Sequence, residues 1–239
     1  MKNIFFASLV IVILAGCTAQ QVQQAQDALG GILNDDQLST AQVAEGLKEA
    51  LVNGTSKGTA TASQLDGYFK NPKLKIPFPP DVQKVENKLR QLGLNKQVDQ
   101  FVMTLNRGAE EAAKEAKPIF VAAIKNMTIQ DAWGILKGGD NAATDYLKRA
   151  TSAELRGKFK PVIKRALDKT NATKYYSDVI NTYNKIPFIE QVNPNLDDYA
   201  TQKAIDGLFV LIAQEESNIR ANPLARTTDL LKKVFKQQD

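Results

Sequence analysis

The 239-residue chain has no histidine and a single cysteine, Cys17, which limits the chemistry its side chains can do. Without imidazole there is no Ser-His-Asp or Cys-His nucleophile and no histidine-ligated metal of the usual kind. One thiol leaves no intrachain disulfide and no thiolate cluster. An acid or base would have to be Asp, Glu, Lys or Tyr. Asp206, Glu215 and Glu216 come nearest to a carboxylate pair or an oxygen-ligand metal site. On one helix, however, positions nine residues apart differ by about 900°, half a turn net, so 206 and 215 face opposite ways. No catalytic set, metal or cofactor is assigned on this basis.

Binding residues are better represented. Asn106, Arg107 and Glu110 lie beside a seam of alanines. Arg107 reaches Glu110 or Glu111 at helical spacing, and the simple reading is a helix ion pair. If the pair is buried it needs further partners, and Asp145 or Tyr146 would supply them at a polar pocket. From Lys148 to Lys169 the basic residues, among them Arg156, Lys160 and Lys164, outnumber Glu154 and Asp168 in a chain of net charge +5. That run reads either as a solvated face or as a surface for anionic lipid headgroups or an acidic envelope protein. Nucleic acid is not expected, because the run lacks the interleaved aromatics that stack single strands. Arg220 and Arg226, with Glu215, Glu216 and Asp229, mark a charged cluster at the last helix junction. Tyr175, Tyr176, Tyr183 and Tyr199 fall within 25 residues; they line a groove or pack with their hydroxyls at its rim.

The N-terminus reads as an address. Lys2 precedes an apolar run from Ile4 to Leu14, followed by Leu14-Ala15-Gly16-Cys17. Eleven residues of helix rise about 16 Å, against roughly 30 Å of bilayer hydrocarbon, so this is a leader rather than a span. Leu-Ala-Gly-Cys resembles the bacterial lipobox, in which the leader (residues 1–16) is removed and Cys17 is acylated. Two or three acyl chains anchor stably. Thr18 at the next position resembles lipoproteins sorted to the outer membrane, so the expected place is the cell envelope, facing the periplasm. Residues 17–38, with five Gln between Gln20 and Gln26, read as a polar tether that reaches at most ~70 Å when extended.

These residues must be positioned by helices, since no period-2 strand pattern is found. Val43, Leu47 and Leu51 recur every four residues after Ser39-Thr40-Ala41-Gln42, a capping-box sequence, and Asn53-Gly54 should stop that helix. Asn71-Pro72, Pro77, Pro79 and Pro80 impose an extended segment. Asp81 opens a helix with Val82, Val85, Leu89 and Leu92 on one face, stopped by Gly93. Val98, Val102, Leu105, Ala109, Ala112 and Ala116 form a heptad-like seam. Further helices are expected at 129–137 behind Thr128/Asp131, at 141–150, and at 152–169 behind Thr151/Glu154, with Pro161 kinking or splitting the last. Tyr175 to Tyr183, Tyr199 to Ile219, and Leu230 to Phe235 complete the set. The chain is therefore expected to be all-α, a multi-helix bundle of about ten helices in one domain over 39–239. Lys75-Ile76-Pro77-Phe78 recurs as Lys185-Ile186-Pro187-Phe188, which raises the alternative of two related halves.

Five stretches resemble a family. Lys75-Ile76-Pro77-Phe78-Pro79, Leu105-Asn106-Arg107-Gly108-Ala109-Glu110, Ala142-Ala143-Thr144-Asp145-Tyr146, Asp206-Gly207-Leu208-Phe209 and Arg226-Thr227-Thr228-Asp229-Leu230-Leu231, in this order, are similar to domain of unknown function 4197. The resemblance runs from about Leu38 to Phe235. It implies an exported, mostly helical protein, often lipid-anchored, and it transfers no functional residue. The function expected is a non-catalytic binding or interaction module; the alternative is a carrier holding a lipid or other small ligand in a cavity between helices.

Overall fold

The computed structural model describes residues 39–236, apart from 186, 189, 190, 194 and 227. The leader, Cys17 and the Gln-rich tether lie outside the described residues. Among those described there are α-helices and two short 3-10 turns and no strand, an all-α bundle: α1 (Thr40–Ser63), α2 (Gln83–Gln91), α3 (Asn95–Ala113), α4 (Ala116–Lys125), α5 (Ile129–Leu136), α6 (Ala142–Asp168), α7 (Ala172–Tyr183), α8 (Leu196–Ala221) and α9 (Asp229–Lys236). None of these helices is long and apolar enough to cross a membrane.

Two helices are longer than local signals suggest. The glycines expected to end α1 instead let it run on to Ser63, because they face other helices at close range. A Cβ on Gly54 would lie 3.5 Å from that of Glu215, and one on Gly58 3.6 Å from that of Leu211. Thr55 and Thr59, both buried, send their hydroxyls back to the carbonyls of Leu51 and Thr55 at 2.7 and 2.8 Å, so each polar group is satisfied inside the helix. Likewise 141–150 and 152–169 are one helix, α6. Thr151 does not cap a new helix; its hydroxyl donates to Leu147 O at 2.6 Å. Pro161 lies on the exposed side of α6. The carbonyl it leaves without a donor is that of Gly157, which is also exposed and can be hydrated, so the helix continues. The Thr128/Asp131 capping box does form, at the start of α5, and Gly93, with φ of +82°, terminates the turn after α2.

Four long helices carry the core. α8 runs antiparallel to α1, since Gly54 meets Glu215 and Gly58 meets Leu211. It is antiparallel to α6 as well, where Thr144 N–H donates to Glu216 at one end and Lys160 meets Asp198 at the other. α3 packs on α6 through Gly108, whose Cβ position lies 3.4 Å from Ala166. Leu105, Ala109, Ala112 and Ala116 of the α3–α4 seam are fully buried, as are Leu147, Leu155, Phe159 and Ile163 of α6 and Leu208 of α8. Each large side chain so buried contributes about 1.5–3 kcal/mol. Phe120 and Phe209 add an edge-to-face contact at 5.8 Å.

The bundle therefore has two distinguishable ends. One holds the start of α1 and of α6, the end of α8, and α5 and α9; Gly46 of α1 abuts Val234 and Leu230 of α9. The other holds the start of α3 and of α8, the end of α6, and α2 and α7. The two Lys-Ile-Pro-Phe segments differ in setting. Ile76 and Phe78 are buried, whereas Phe188 is fully exposed at positive φ, and residues from Thr40 onward form one compact unit.

Candidate functional site

At the second end, α2, α3 and α7 surround a cleft of about 640 Å³. Its position follows from the segment between α1 and α2. That segment is rich in proline and cannot supply a continuous helical ladder, so its backbone groups need other partners. Asn106 of α3 provides them. Its buried amide accepts from Ile76 N–H at 2.8 Å and donates to Ile76 O at 2.8 Å and to Val102 O at 2.7 Å. The strap so pinned buries Ile76 and Phe78 and releases the chain, through the turn Pro80–Val82, into α2.

Val98, Phe101 and Thr104 of α3 form one wall of the cleft, Val85 and Leu89 of α2 another, and Ala172, Tyr175, Tyr176 and Ile180 of α7 the third. The ring of Phe101 is central to it, 4.9 Å from Phe78 and stacked 6.5 Å from Tyr176. The Tyr176 hydroxyl is pushed up to about 12, first by burial and then by the Asp81 carboxylate. Tyr199, whose hydroxyl donates to Pro77 O at 3.2 Å, is pushed up to about 12 by the same burial, by Tyr176 and by Asp81. Tyr176, which lines the cleft, is therefore neutral at physiological pH. Polar groups gather at the mouth, where Lys96, Gln97 and Gln100 project from the first turns of α3.

α2 differs from the other helices of eight residues or more whose burial is described: no residue of it is buried. It packs mainly on α3 and on the turn before it. Val85 and Leu89 are only half-covered, and Leu92, just beyond the helix, is 64% exposed. An apolar face left this open marks a ligand or partner surface.

The charged residues singled out in the sequence have other work. Arg107 donates to Glu110 at 2.6 Å and to Asp66 at 2.7 Å, and its guanidinium lies 5.3 Å from the Phe69 ring. The second oxygen of Glu110 accepts from the backbone N–H groups of Tyr68 and Phe69, each at 3.1 Å. The pair is thus semi-buried and does recruit further partners, but these are Asp66 and the backbone after α1. Asp145 and Tyr146 do not supply them. They sit near the start of α6, while Gly108 packs against Ile163 and Ala166 near its end, about 27 Å further along the helix axis. Asp145 is exposed, and the Tyr146 hydroxyl is raised by burial and by Asp131.

Glu216 is the counterpart at the other end. It accepts from the N–H groups of Ala143 and Thr144 at 2.9 and 2.8 Å and from the Thr144 hydroxyl at 2.7 Å. Arg220 holds it at 2.9 Å and donates to Ile135 O. A carboxylate from α8 thereby caps the start of α6. Arg226, buried, donates to the carbonyls of Ile219 and Arg220 and closes the end of α8. Glu215 pairs with Lys57 at 2.8 Å, and Asp206 accepts from Gln202, so these carboxylates do not converge. Among the described residues no group of three or more acidic or thiol ligands is placed to hold a metal.

The basic run on α6 is partly consumed by α8. Lys160 meets Asp198 at 2.7 Å and Asp197 at 3.6 Å, Arg156 bonds Gln202 and approaches Asp198, and Lys164 pairs with Asp168 at 2.7 Å. The contacts of Lys160 and Arg156 fasten α6 to α8, the Lys164 pair lies within α6, and together they reduce the patch.

Two of the four clustered tyrosines, Tyr175 and Tyr176, do line the cleft. Phe101, Val85, Leu89 and Lys96 were not read as site residues from sequence. The signal was present in α2, a short amphipathic helix between prolines and a glycine. Its apolar face has the same spacing as a core face, and only the tertiary fold reveals that nothing covers it.

The family described as protein of unknown function (DUF4197) matches residues 37–236. No curated protein and no solved structure matches.

Proposed function

The chain belongs to the DUF4197 family, whose function is unknown, and we propose that it is a lipid-anchored envelope protein that binds an apolar small ligand in the cleft between α2, α3 and α7. The observation that carries this reading is the cleft itself. Its volume of about 640 Å³ falls within the roughly 300–1,000 Å³ of small-molecule sites, which are likewise mostly apolar with a few polar groups at the edge. The carrier alternative thus gains over a general interaction module, with one change of location: the polar group at the mouth is Lys96, not Arg107. The buried carboxylates Glu110 and Glu216 each accept two backbone N–H groups, as expected of groups that hold segments together.

The anchor rests on Cys17 and its flanking sequence. α1 begins at the end of the bundle opposite the cleft, and its 24 residues span about 36 Å. Thr40, where the described helices begin, thus lies at the end of the bundle away from the cleft.

Titration with N-phenylnaphthylamine, a neutral apolar fluorophore, tests the ligand site in residues 18–239, which lack the acylated Cys17. Saturable one-to-one enhancement is expected, lost in Val85→Trp and Leu89→Trp, which fill the cleft from α2 without touching the buried core. Binding that ignores both substitutions would contradict the reading. Acyl labelling that persists in Cys17→Ala would remove the anchor.

A further inference from the structure

We infer that the ligand of this cleft is an amphiphile with one acyl chain and an anionic head, and that Lys96 receives the head. The inference rests on the proposed ligand site and adds the chemical class.

Size argues for one chain. A methylene occupies roughly the volume of a water molecule in the liquid, about 30 Å³, so a cleft of about 640 Å³ holds on the order of twenty carbons. Two long acyl chains would overfill it. Lining argues for the apolar part. Below the mouth the walls are Val98, Phe101, Tyr176 and Ile180, and burial pushes the Tyr176 hydroxyl up to about 12, so it stays neutral well past physiological pH.

Charge at the mouth argues for the head. Residues 81–99 carry four basic side chains, Lys84, Lys88, Arg90 and Lys96, against three acidic ones, Asp81, Glu86 and Asp99, of which Asp81 lies on the side of Tyr176 and Tyr199. Glu86 and Asp99 are both taken by one cation: Arg90 meets Glu86 at 2.9 Å and Asp99 at 3.0 Å. Lys84, Lys88 and Lys96 are left without an ion-pair partner among the described residues, and Lys96 alone of the three lines the cleft. An ammonium on a flexible stem at the edge of an apolar slot can rest its methylenes on the wall and present its charge outward. A carboxylate or phosphate there would gain a charge-assisted contact while its chain leaves water. A cationic head would meet the uncompensated lysines, and a neutral one would gain nothing from them.

The test compares three ligands of one chain length: palmitate, palmitoyl lysophosphatidylglycerol and neutral monopalmitoylglycerol. Each is titrated by displacement of N-phenylnaphthylamine from residues 18–239 and from Lys96→Glu, with Lys158→Glu, an exposed residue of α6 outside the cleft lining, as the control for net charge. At least one anion should bind about tenfold tighter than the neutral lipid. Lys96→Glu should abolish that advantage, weakening the anions more than the neutral lipid, and Lys158→Glu should leave the advantage in place. Preference for palmitate would identify free fatty acids as the source, and preference for the lysophospholipid would identify membrane lipid. Equal binding of all three, unaffected by Lys96→Glu, would overturn the anionic class and leave the apolar site standing. Failure of the fluorophore itself to bind would overturn both.

Discussion

Asn106 and Glu110 show why residue-level chemistry was only half legible in the sequence. Their types and their place beside the alanine seam were visible, and so was the Arg107 to Glu110 spacing. Their partners were not, because Ile76, Asp66 and Tyr68 lie thirty or more residues away and are brought in by the strap. The tyrosines carry a prediction at this scale. In the unfolded chain a tyrosine titrates near 10.0, whereas Tyr176 and Tyr199 are held up to about 12 by burial and by Asp81. Between those values the folded chain keeps protons that the unfolded chain has lost, so stability is full below pH 10 and falls as pH rises toward 12. Ultraviolet titration of tyrosinate should show a late fraction that shrinks in Tyr176→Phe, and the alkaline loss of stability in urea should become shallower in the same variant. Titration of every tyrosine near 10 in the native protein would show that the cleft wall is wet. At the acid end the sign is reversed. Asp66, lowered by Lys70 and then Arg107, and Asp131, lowered by Thr128, stabilise the fold above about pH 3.8 and lose that contribution as pH falls further.

Helix existence was the most readable feature at the scale of elements, because periodicities such as Val98 to Ala116 are long and strong. Boundaries failed where a local stop signal served packing instead. Gly54 reads as a breaker, yet it and Gly58 let α1 approach α8. Pro161 and Thr151 read as a split, yet exposure of Gly157 and a back-bonded hydroxyl let α6 continue. α2 was read correctly as an amphipathic helix, and what faced it was not readable. Since it buries nothing of its own, its amides should exchange far faster than those of α3 or α6 in the free protein. Saturating palmitate should slow exchange across residues 83–91 at least tenfold and leave α1 and α6 unchanged. Uniformly slow exchange in the free protein, with no response to palmitate, would mean that α2 is a fixed wall with nothing to close over.

For the whole molecule, composition and pattern were enough to establish an all-α bundle, and the family match over residues 37–236 agrees with the five sequence stretches that suggested it. The arrangement of the two ends came from tertiary contacts alone. α1 starts beside α9 at one end, and the cleft opens at the other. The most direct measurement is native mass spectrometry of residues 18–239, purified without detergent from cells and again after exposure to palmitoyl lysophosphatidylglycerol and palmitate. The account predicts a single added mass of one amphiphile, absent in Val85→Trp. A bare protein mass under all of these conditions would contradict it.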